Sequence, residues 1–403
     1  MLIREMIRNV YKECKGVPKS SCLTKEQRLS LQMDEFMNRR YEFRYNTQIG
    51  EVEYRERFSF QFYFHPIDKR AQNSIMLDAQ SEGIGVWDRD IDRYLHSNRV
   101  PIYNPLEEFL FHLPHWDGKD RIHALANRVP YKNPHWELLF HRWFLNMVSH
   151  WRGVDKMHAN NTSPILVGRQ GTHKSTFCRE MIPPALRAYY TDSIDFSHKR
   201  DAELYLNRFA LINIDEFDQI TLPQQGFLKH ILQKPVVNLR KPHGRSVLEL
   251  QRYASFIGTS NQKDLLTDPS GSRRFICIEV TGNIDTTQPI DYEQLYAQAM
   301  HEIHHGERYW FDSEDEQIMT ENNREFEQTP AMLQLFYQYF KTAQTKEEGE
   351  FLTPVEILNY LKKKSGMSLS DNKVYHFGRL LQKCGIPSKH TYKGTVYQVI
   401  KLS

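Results

Sequence analysis

The sequence predicts an α/β fold with a mostly parallel sheet, a helical N-terminal region and a C-terminal winged-helix-like module. Short β-branched runs between Ser163 and Gly282 alternate with helical patterns, which is typical of a layered α/β domain. A basic segment after Ala331 predicts two helices followed by a hairpin, the order expected of a winged helix. The length of 403 residues predicts two to three domains, at roughly 150 residues each.

The composition excludes several classes of protein. The 53 Lys and Arg residues balance 50 Asp and Glu residues, so the net charge of +3 does not by itself predict a nucleic-acid partner. No apolar run approaches the roughly 18 residues of a membrane span, and we expect no membrane association. Five cysteines, never in a CxxC pair, disfavour a disulfide framework and a cysteine zinc site and fit a cytoplasmic protein. The cysteines are Cys14, Cys22, Cys178, Cys277 and Cys384.

We expect the chain to divide into four parts. Residues 1–50 predict mainly helix, with MDEFMNRRYEF as an amphipathic candidate, and EVEYRERFSFQFYF predicts a strand or hairpin. The aromatic residues of PHWELLFHRWFLNMVSHW recur at helical spacing and are expected in a core rather than on a base-stacking face. Residues 290–330 predict an exposed helix and an acidic connector, DSEDEQ. The parts are an N-terminal α+β region (1–85), a helical Trp-rich collar (86–155), a P-loop core (156–310) and a winged-helix-like domain (331–403).

A strand–loop–helix segment has the composition of a phosphate-binding loop, or P-loop. The strand PILV precedes GRQGTHKST, and a helical pattern follows, which is the setting that such a loop requires. Backbone N–H groups of the loop are expected to point at the phosphates of ATP. Lys174 would reach the β- and γ-phosphates, and the Ser175 hydroxyl would ligate Mg²⁺. The alternative is an ordinary turn with a surface lysine. The predicted ATP-binding residues are Gly168, Gln170, Gly171, Thr172, His173, Lys174, Ser175 and Thr176.

Polar side chains follow two further strands of the predicted sheet. FALINI ends on Asp215 and Glu216, and ASFIG is followed by Thr259, Ser260 and Asn261. Because carboxyl ends of parallel strands share one edge of a sheet, these side chains should lie near the loop. We expect Asp215 to hold Mg²⁺, Glu216 to polarise the attacking water and Asn261 to contact water or the γ-phosphate. The alternatives are a solvated strand end and a turn-forming asparagine.

Paired arginines follow the turn DPSGS. Arg273 or Arg274 would act as an arginine finger, which stabilises charge on the transferring phosphoryl group, often across subunits. The sequence does not choose between the two, and plain surface charge is the alternative. A finger acting across subunits requires head-to-tail assembly of the kind that forms rings.

The segments GRQGTHKST, FALINIDEFD, YASFIGTSN and DPSGSRRF, in this order, resemble the virulence-associated protein E family. The resemblance extends upstream over VWDRDI and VPIYNPLEEFLFHLPHWDGKDRI and covers residues 85–310 well. It implies a superfamily-3 helicase-type ATPase with an AAA+-like core that uses ATP and Mg²⁺. It also implies action on single-stranded or forked DNA in the replication of a phage or mobile element, assembly into a hexameric ring, and a separate primase as partner.

The family pattern places a β-hairpin between the acidic pair and the strand that precedes Asn261. Here that stretch predicts two short strands around a basic Pro/Gly turn, which would contact DNA phosphates inside a ring. A solvated hairpin tip is the alternative. The predicted DNA-binding residues are Arg240, Lys241, His243 and Arg245.

A competing motif lies at His301, Glu302 and His305, which match HExxH, the zinc-protease signature on a helix. The motif predicts two histidine ligands on one helix face and a glutamate base. No third ligand is indicated, because Gly306 follows at once. A zinc hydrolase is therefore a third hypothesis. The alternative is an accidental match to the motif in a chain with 18 histidines.

The C-terminal segment predicts two capped helices and a hairpin. Thr353 and Pro354 form a good helix start, and Gly366 and Gly385 are suited to end the two helices. The segment is basic, so that it would bind DNA through its second helix or instead contact protein. Its cationic residues are Lys362, Lys363, Lys364, Lys373, Arg379, Lys383, Lys389 and Lys393.

The main functional hypothesis is a ring-forming, ATP-dependent DNA helicase or translocase. The second is a nucleotide-gated DNA-binding or assembly factor with little turnover. His173 motivates this second hypothesis, because it stands where the common P-loop pattern has glycine.

Overall fold

The computed structural model describes residues 23–60, 62–153, 155, 157–239, 248–266, 269–328, 331–343, 349–366, 374–392 and 394–402. Within these ranges, no helix combines the length and apolar character needed to cross a lipid bilayer.

The N-terminal part packs three helices against a four-stranded sheet with the order β3-β2-β1-β4. Its first helix begins with a capping box, in which the Thr24 hydroxyl accepts from the Gln27 N–H and the Gln27 side chain accepts from the Thr24 N–H. The elements are α1 (Lys25–Arg40), β1 (Tyr41–Asn46), β2 (Glu51–Glu56), β3 (His65–Pro66), α2 (Lys69–Ser81), α3 (Asp88–Leu95) and β4 (Ile102–Tyr103).

Two predictions for this part are wrong at their boundaries. The amphipathic helix ends at Arg40, because Tyr41 and Phe43 alternate with polar residues and join β1, which pairs antiparallel with β2. The strand or hairpin predicted over EVEYRERFSFQFYF is a hairpin, but its first strand, β2, ends at Glu56, and its second strand, β3, begins at His65, just beyond that segment.

The middle of the chain is helical, and its aromatic residues form a core, as predicted. Trp136, Trp143 and Trp151 are fully buried on one long helix. The helix predicted to be exposed after residue 290 instead packs against it, with the rings of Tyr296 and Trp151 stacked 5.1 Å apart. The helices are α4 (Pro105–Phe111), α5 (Arg121–Ala126), α6 (Trp136–Arg152) and, after the sheet described next, α10 (Tyr292–His304) and α11 (Ser313–Asn322).

The acidic stretch DSEDEQ is the start of a helix, so the predicted connector is also wrong. Asp312 caps α11 by accepting from the N–H groups of Glu314 and Asp315. The Asp315 carboxylate is buried and pairs with Arg142 and Arg308. The negative charge of Asp315 is therefore neutralised by two arginines of the same chain.

A five-stranded parallel sheet occupies the centre of the chain, with the order β11-β5-β10-β7-β6. The predicted mixed α/β fold with a parallel sheet is confirmed, although the two-residue strand β6 was not predicted. The elements are β5 (Ser163–Val167), α7 (Lys174–Glu180), β6 (Tyr190–Thr191), α8 (Lys199–Arg208), β7 (Leu211–Ile214), α9 (Leu222–Leu232), β8 (Val236–Leu239), β9 (Leu248–Gln251), β10 (Ser255–Ser260) and β11 (Phe275–Glu279).

Short 3₁₀ helices connect several of these elements. They span Pro184–Tyr189, Phe217–Gln219, Pro269–Arg274 and Asn323–Phe326. Three of the four adjoin a strand of the central sheet directly or within two residues, so they set where the strands begin and end.

The C-terminal part has its own core and contains the predicted two helices and hairpin. Thr353 caps the first of these helices, and Gly366 ends it with a φ of 67°, as expected of a C-terminal glycine. Two short strands, β12 and β13, add to the hairpin and were not predicted. The elements are α12 (Ala331–Tyr339), β12 (Phe340–Thr342), β13 (Glu350–Leu352), α13 (Pro354–Ser365), α14 (Val374–Lys383), β14 (Ser388–Thr391) and β15 (Gly394–Lys401).

Candidate functional site

The loop of residues 168–173 joins β5 to α7 at the carboxyl edge of the central sheet. The Gly168 N–H donates to the carbonyl of Ser260 at 3.0 Å, which attaches the loop to the end of β10. A Cβ atom at position 168 would lie 2.9 Å from the Val280 carbonyl oxygen, so only glycine fits there. Gly171 has a φ of 84°. Gly168 therefore allows the close approach of the loop to Val280, and Gly171 allows a left-handed turn.

His173 takes the left-handed conformation that glycine has in the common pattern, with a φ of 65°. Its side chain is exposed and makes no capping hydrogen bond to α7. Histidine adopts this region with less strain than a β-branched residue. The departure from the common pattern is thus accommodated by the backbone.

We expect His173→Val to lower the free energy of unfolding by about 1–2 kcal/mol, because a β-branched residue is strained at positive φ. His173→Gly, the matched variant, should keep stability close to the wild-type value. Urea unfolding of the three proteins measures the difference. Equal midpoints for the valine and glycine variants would show that the loop does not need this conformation.

Lys174 is folded into the loop that precedes it. Its ammonium donates to the carbonyls of Gly168 and Arg169, each at 2.8 Å, and to Asn261 Oδ1 at 3.2 Å. The residue is 6% exposed. Burial lowers the pKa of Lys174, and the nearby Asp215 opposes this shift. The charge is thus held at the mouth of the loop by neutral acceptors.

Three elements meet at the Asp215 carboxylate, which follows β7. The Ser175 hydroxyl at the start of α7 donates to Asp215 Oδ1 at 2.9 Å, and the Thr259 hydroxyl of β10 donates to the same oxygen. Ser175 and Asp215 are both exposed. Hydroxyl and carboxylate oxygens are ligands that Mg²⁺ accepts, so this pair fits the predicted metal-holding role.

Asn261 completes the contact between the strand ends. It follows β10, which lies between β5 and β7 in the sheet, and its side chain reaches Lys174. The structure thus brings together Lys174, Ser175, Asp215 and Asn261, as the sequence predicts.

Asp218 belongs to the site but was not predicted. Its carboxylate accepts from the Ser260 hydroxyl at 2.8 Å and from the Asn261 N–H at 3.4 Å. These bonds fix the end of β10 and therefore the position of Asn261. The only signal in the sequence was a third acid, three residues after Asp215 in FALINIDEFD.

Glu216 is exposed beside Asp215 and has a φ of 52°. Among the described residues, the non-glycine residues with positive φ are Glu216 and His173, and both adjoin this site. Such backbone strain costs of order 1–3 kcal/mol per residue and tends to occur at functional sites. The conformation turns the chain sharply after β7 and leaves the Glu216 side chain in solvent.

A sequence model described as the virulence-associated protein E-like (VapE-like) domain matches residues 110–328, which is more than half of the chain. The chain belongs to the VapE-like family. The resemblance predicted from the sequence is confirmed, and every predicted ATP-binding residue lies in the matched range. A second model, DUF3874, a domain of unknown function, matches residues 329–399.

The similarity of the chain to solved structures is more distant than its match to the family model. The chain is similar to two apo structures of the C-terminal region of NrS-1. One is 12% identical, with 94% of this chain and 100% of that chain covered and a TM-score of 0.46. The other is 11% identical, with coverages of 92% and 99% and a TM-score of 0.44. No curated protein sequence matches the VapE-like chain.

The paired arginines of the VapE-like domain lie far from the loop. Strand β11 runs parallel to β5, with Phe275 opposite Ser163 and Glu279 opposite Val167. Arg273 and Arg274 precede Phe275, so they lie at the amino edge of the sheet, about 17 Å from its carboxyl edge by strand length. Arg273 pairs there with Glu316 at 3.0 Å. Neither arginine is placed to reach the loop of its own chain.

The predicted DNA-binding residues Arg240, Lys241, His243 and Arg245 lie outside the described residues. The strands that flank them are described: β8 and β9 pair antiparallel, with Leu239 opposite Leu248. The two strands of the predicted hairpin are therefore confirmed, and the role of its turn stays a prediction.

The HExxH motif lies on α10, and its glutamate is engaged in the fold. Glu302 Oε1 accepts from the Gln298 amide at 2.8 Å, and Glu302 Oε2 bonds to His141 Nε2 at 2.7 Å. The His301 and His305 rings stack on each other, 3.9 Å apart. In the part of the chain that the structure describes, no group of three or more His, Cys, Asp or Glu side chains is arranged to hold a metal. Nothing in this geometry supports the zinc hypothesis.

Proposed function

We propose that this VapE-like protein is an ATP-dependent DNA helicase or translocase of superfamily-3 type, which acts in replication of a phage or mobile element. One observation carries the proposal. Three neighbouring strands of a parallel sheet end in a glycine loop with Lys174, a carboxylate bonded to Ser175, and Asn261. This arrangement has the parts that P-loop, AAA+-like ATPases use for phosphoryl transfer.

The loop would hold the triphosphate of ATP, and Lys174 would change partners on binding. Its ammonium now contacts two neutral carbonyls of the loop. Phosphate oxygens are anionic acceptors and form stronger hydrogen bonds with an ammonium than carbonyls do. ATP would therefore draw Lys174 from the carbonyls toward the β- and γ-phosphates, while backbone N–H groups from Gln170 to Thr176 contact the remaining oxygens.

Ser175 and Asp215 would hold Mg²⁺, which neutralises charge on the β- and γ-phosphate oxygens when bound. Glu216 would accept a proton from water as the water oxygen bonds to the γ-phosphorus and ADP leaves. Asn261, which Asp218 positions, would orient that water or contact the γ-phosphate. Each role follows from where the side chain lies on the carboxyl edge of the sheet.

An arginine finger would come from a neighbouring subunit. Because Arg273 and Arg274 lie at the amino edge of the sheet, either could meet a P-loop only in another copy of the chain. A repeated contact between the amino edge of one subunit and the carboxyl edge of the next is heterologous, and such a contact forms a ring when the rotation between subunits closes. We propose a hexamer.

Mixing experiments should reveal this contact. We expect the double variant Arg273→Ala/Arg274→Ala and the Lys174→Ala variant, each almost inactive alone, to hydrolyse ATP when mixed in equal amounts, because about a quarter of the contacts then join an intact P-loop to an intact finger, and a finger contributes about 10³–10⁵ in rate. Arg324→Ala, at an exposed position on a nearby 3₁₀ helix, is the control. A mixture that stays as inactive as the two separate variants would argue against a finger that acts across subunits.

DNA would be contacted by the β8–β9 hairpin inside the ring and by the C-terminal winged-helix-like module. The last turn of α13 carries Lys362, Lys363 and Lys364. Neighbouring helix α14 carries Arg379. These cations of the C-terminal module would attract the phosphate backbone of DNA, whatever the base sequence.

A separate chain would supply primase activity.

The test is ATP hydrolysis and strand separation by the full chain, with and without forked DNA. A helicase hydrolyses ATP faster with DNA and separates the strands. The alternative, a nucleotide-gated assembly factor with little turnover, predicts that ATP changes oligomer size in light scattering while the strands stay paired. That second result would replace the helicase proposal.

A further inference from the structure

A loop of aromatic residues projects from the N-terminal sheet between β2 and β3. Its side chains Phe58, Phe60, Phe62 and Tyr63 are 89%, 97%, 72% and 79% exposed. Four large rings within six residues form an apolar patch of unusual density on a protein surface. Contiguous exposed apolar surface of this kind marks an interaction site.

The loop is anchored at both ends. The guanidinium groups of Arg44 and Arg55 lie over the Phe64 ring, 4.0 and 4.8 Å from its centroid. Arg55 also donates to the Phe62 carbonyl at 3.1 Å, and Arg57 donates to the Asn38 carbonyl at 2.7 Å. The base of the loop is thereby held on the sheet while the rings beyond it face solvent.

The chemistry of the patch favours bases over an aliphatic protein surface. The exposed apolar groups are all flat rings, and the first three alternate with Ser59 and Gln61 in the sequence. Every nucleobase presents a π-face that can stack on such a ring, whatever its sequence. Spaced rings separated by polar residues suit a flexible strand with exposed bases.

Charge supports the same partner. Between residues 55 and 70, four cationic side chains outnumber two acidic ones. Arg55 and Arg57 share one carboxylate, that of Glu42. Lys69 and Arg70, which follow β3, are exposed and have no carboxylate partner among the described residues. This excess attracts a phosphate backbone, and it opposes docking of the same surface on a second copy.

We propose that residues 57–60 and 62–70, the aromatic loop together with its basic flank, bind single-stranded DNA by stacking bases on Phe58, Phe60, Phe62 and Tyr63. The inference rests on the proposed function in taking DNA as the substrate. It assigns to the N-terminal region a contact separate from the β8–β9 hairpin and the C-terminal module. The strand would reach the ring through this loop.

The experiment compares two fluorescent probes, oligo(dT) and an abasic strand of the same length, by anisotropy without nucleotide. The double variant Phe58→Ala/Phe60→Ala should bind oligo(dT) at least about twentyfold more weakly, because each stacked ring contributes about fivefold or more. Its affinity for the abasic strand and its salt dependence should not change. Lys69→Ala/Arg70→Ala should weaken both probes and reduce the salt dependence.

Phe111→Ala is the matched control, because that ring is 83% exposed on α4 outside the loop. The proposal is overturned if the double variant binds oligo(dT) as wild type does, or if wild type binds both probes equally. It is also overturned if light scattering shows that the double variant forms smaller oligomers and this loss of assembly accounts for its lower affinity. The aromatic loop would then be a subunit contact.

Failure of this inference differs from failure of the proposed function. Binding is measured without ATP, and hydrolysis is measured separately on the same proteins. If wild type hydrolyses ATP but the loop variants bind DNA normally, only the inference is wrong. If wild type hydrolyses no ATP but the loop variants lose base-dependent binding, only the motor proposal is wrong.

Discussion

Lys174→Ala is expected to lower ATP hydrolysis by about 10²–10³-fold or more, because it removes the positive charge nearest the transferring phosphate. The side chain is almost completely buried in the loop, so a solvent-exposed lysine cannot substitute for it. Hydrolysis by the full chain, with saturating single-stranded DNA, measures the effect. Nucleotide affinity should also fall, which a fluorescent ATP analogue would report.

The control for this prediction is Lys119→Ala, at an exposed loop position. Because Lys174 also bonds to Gly168, Arg169 and Asn261, the unfolding midpoint of the variant must be measured too. A folded Lys174→Ala protein that hydrolyses ATP at the wild-type rate would contradict the assignment of this loop.

The largest effect on stability is expected at Arg252, which no prediction from the sequence identified. Its guanidinium is fully buried and donates to the carbonyls of Leu232 and Lys234, each at 2.7 Å, and of Asn160 at 2.9 Å. A further bond joins its Nε to the Ala254 carbonyl. Burial lowers the pKa of Arg252 to about 9, which leaves the group charged at neutral pH.

Arg252→Met should lower the free energy of unfolding by about 3–4 kcal/mol, because several buried carbonyls lose their donor at once. Urea unfolding measures the loss. Arg93→Met, at a side chain that is 79% exposed, should change stability by less than about 0.5 kcal/mol. An Arg252→Met protein as stable as this control would show that water satisfies those carbonyls and that the arginine is dispensable.

Arg252 also has a place in the wider structure. It joins the end of α9 and the segment before β5 to the link between β9 and β10. These segments connect the β8–β9 hairpin to β5, the strand that precedes the loop of residues 168–173. Loss of the side chain should therefore disturb the hairpin along with overall stability.

The residues of the candidate site were predictable where the neighbouring sequence alone indicates their role. The loop from Gly168 to Thr176 and the pair Asp215–Glu216 each follow an apolar strand, so composition and order are sufficient to indicate them. Asp218 and Arg252 were not predictable, because most of their partners lie more than ten residues away and come close only in the folded chain. Residues of this kind look like ordinary surface charges in the sequence.

The fold was predictable to a similar extent. The strands of the parallel sheet and the buried aromatics of α6 have clear periodicity. Helix α10 was expected to be exposed, yet Tyr296 and Gln298 are buried. Gln298 can be buried because its amide oxygen accepts from the N–H groups of Arg121 and Ile122, and its amide nitrogen donates to Glu302. These hydrogen bonds cannot be predicted from the hydrophobicity of the sequence.

The most direct test of the central claim is the comparison of ATP binding and ATP hydrolysis in wild type and Glu216→Gln, with and without single-stranded DNA. The amide keeps the size of the side chain but cannot accept the proton of the attacking water. We predict that wild type hydrolyses ATP, and that Glu216→Gln binds ATP with similar affinity but hydrolyses it at least about 10²-fold more slowly. Wild-type protein that hydrolyses no nucleotide under any DNA condition, or a Glu216→Gln protein with wild-type turnover, would contradict the account.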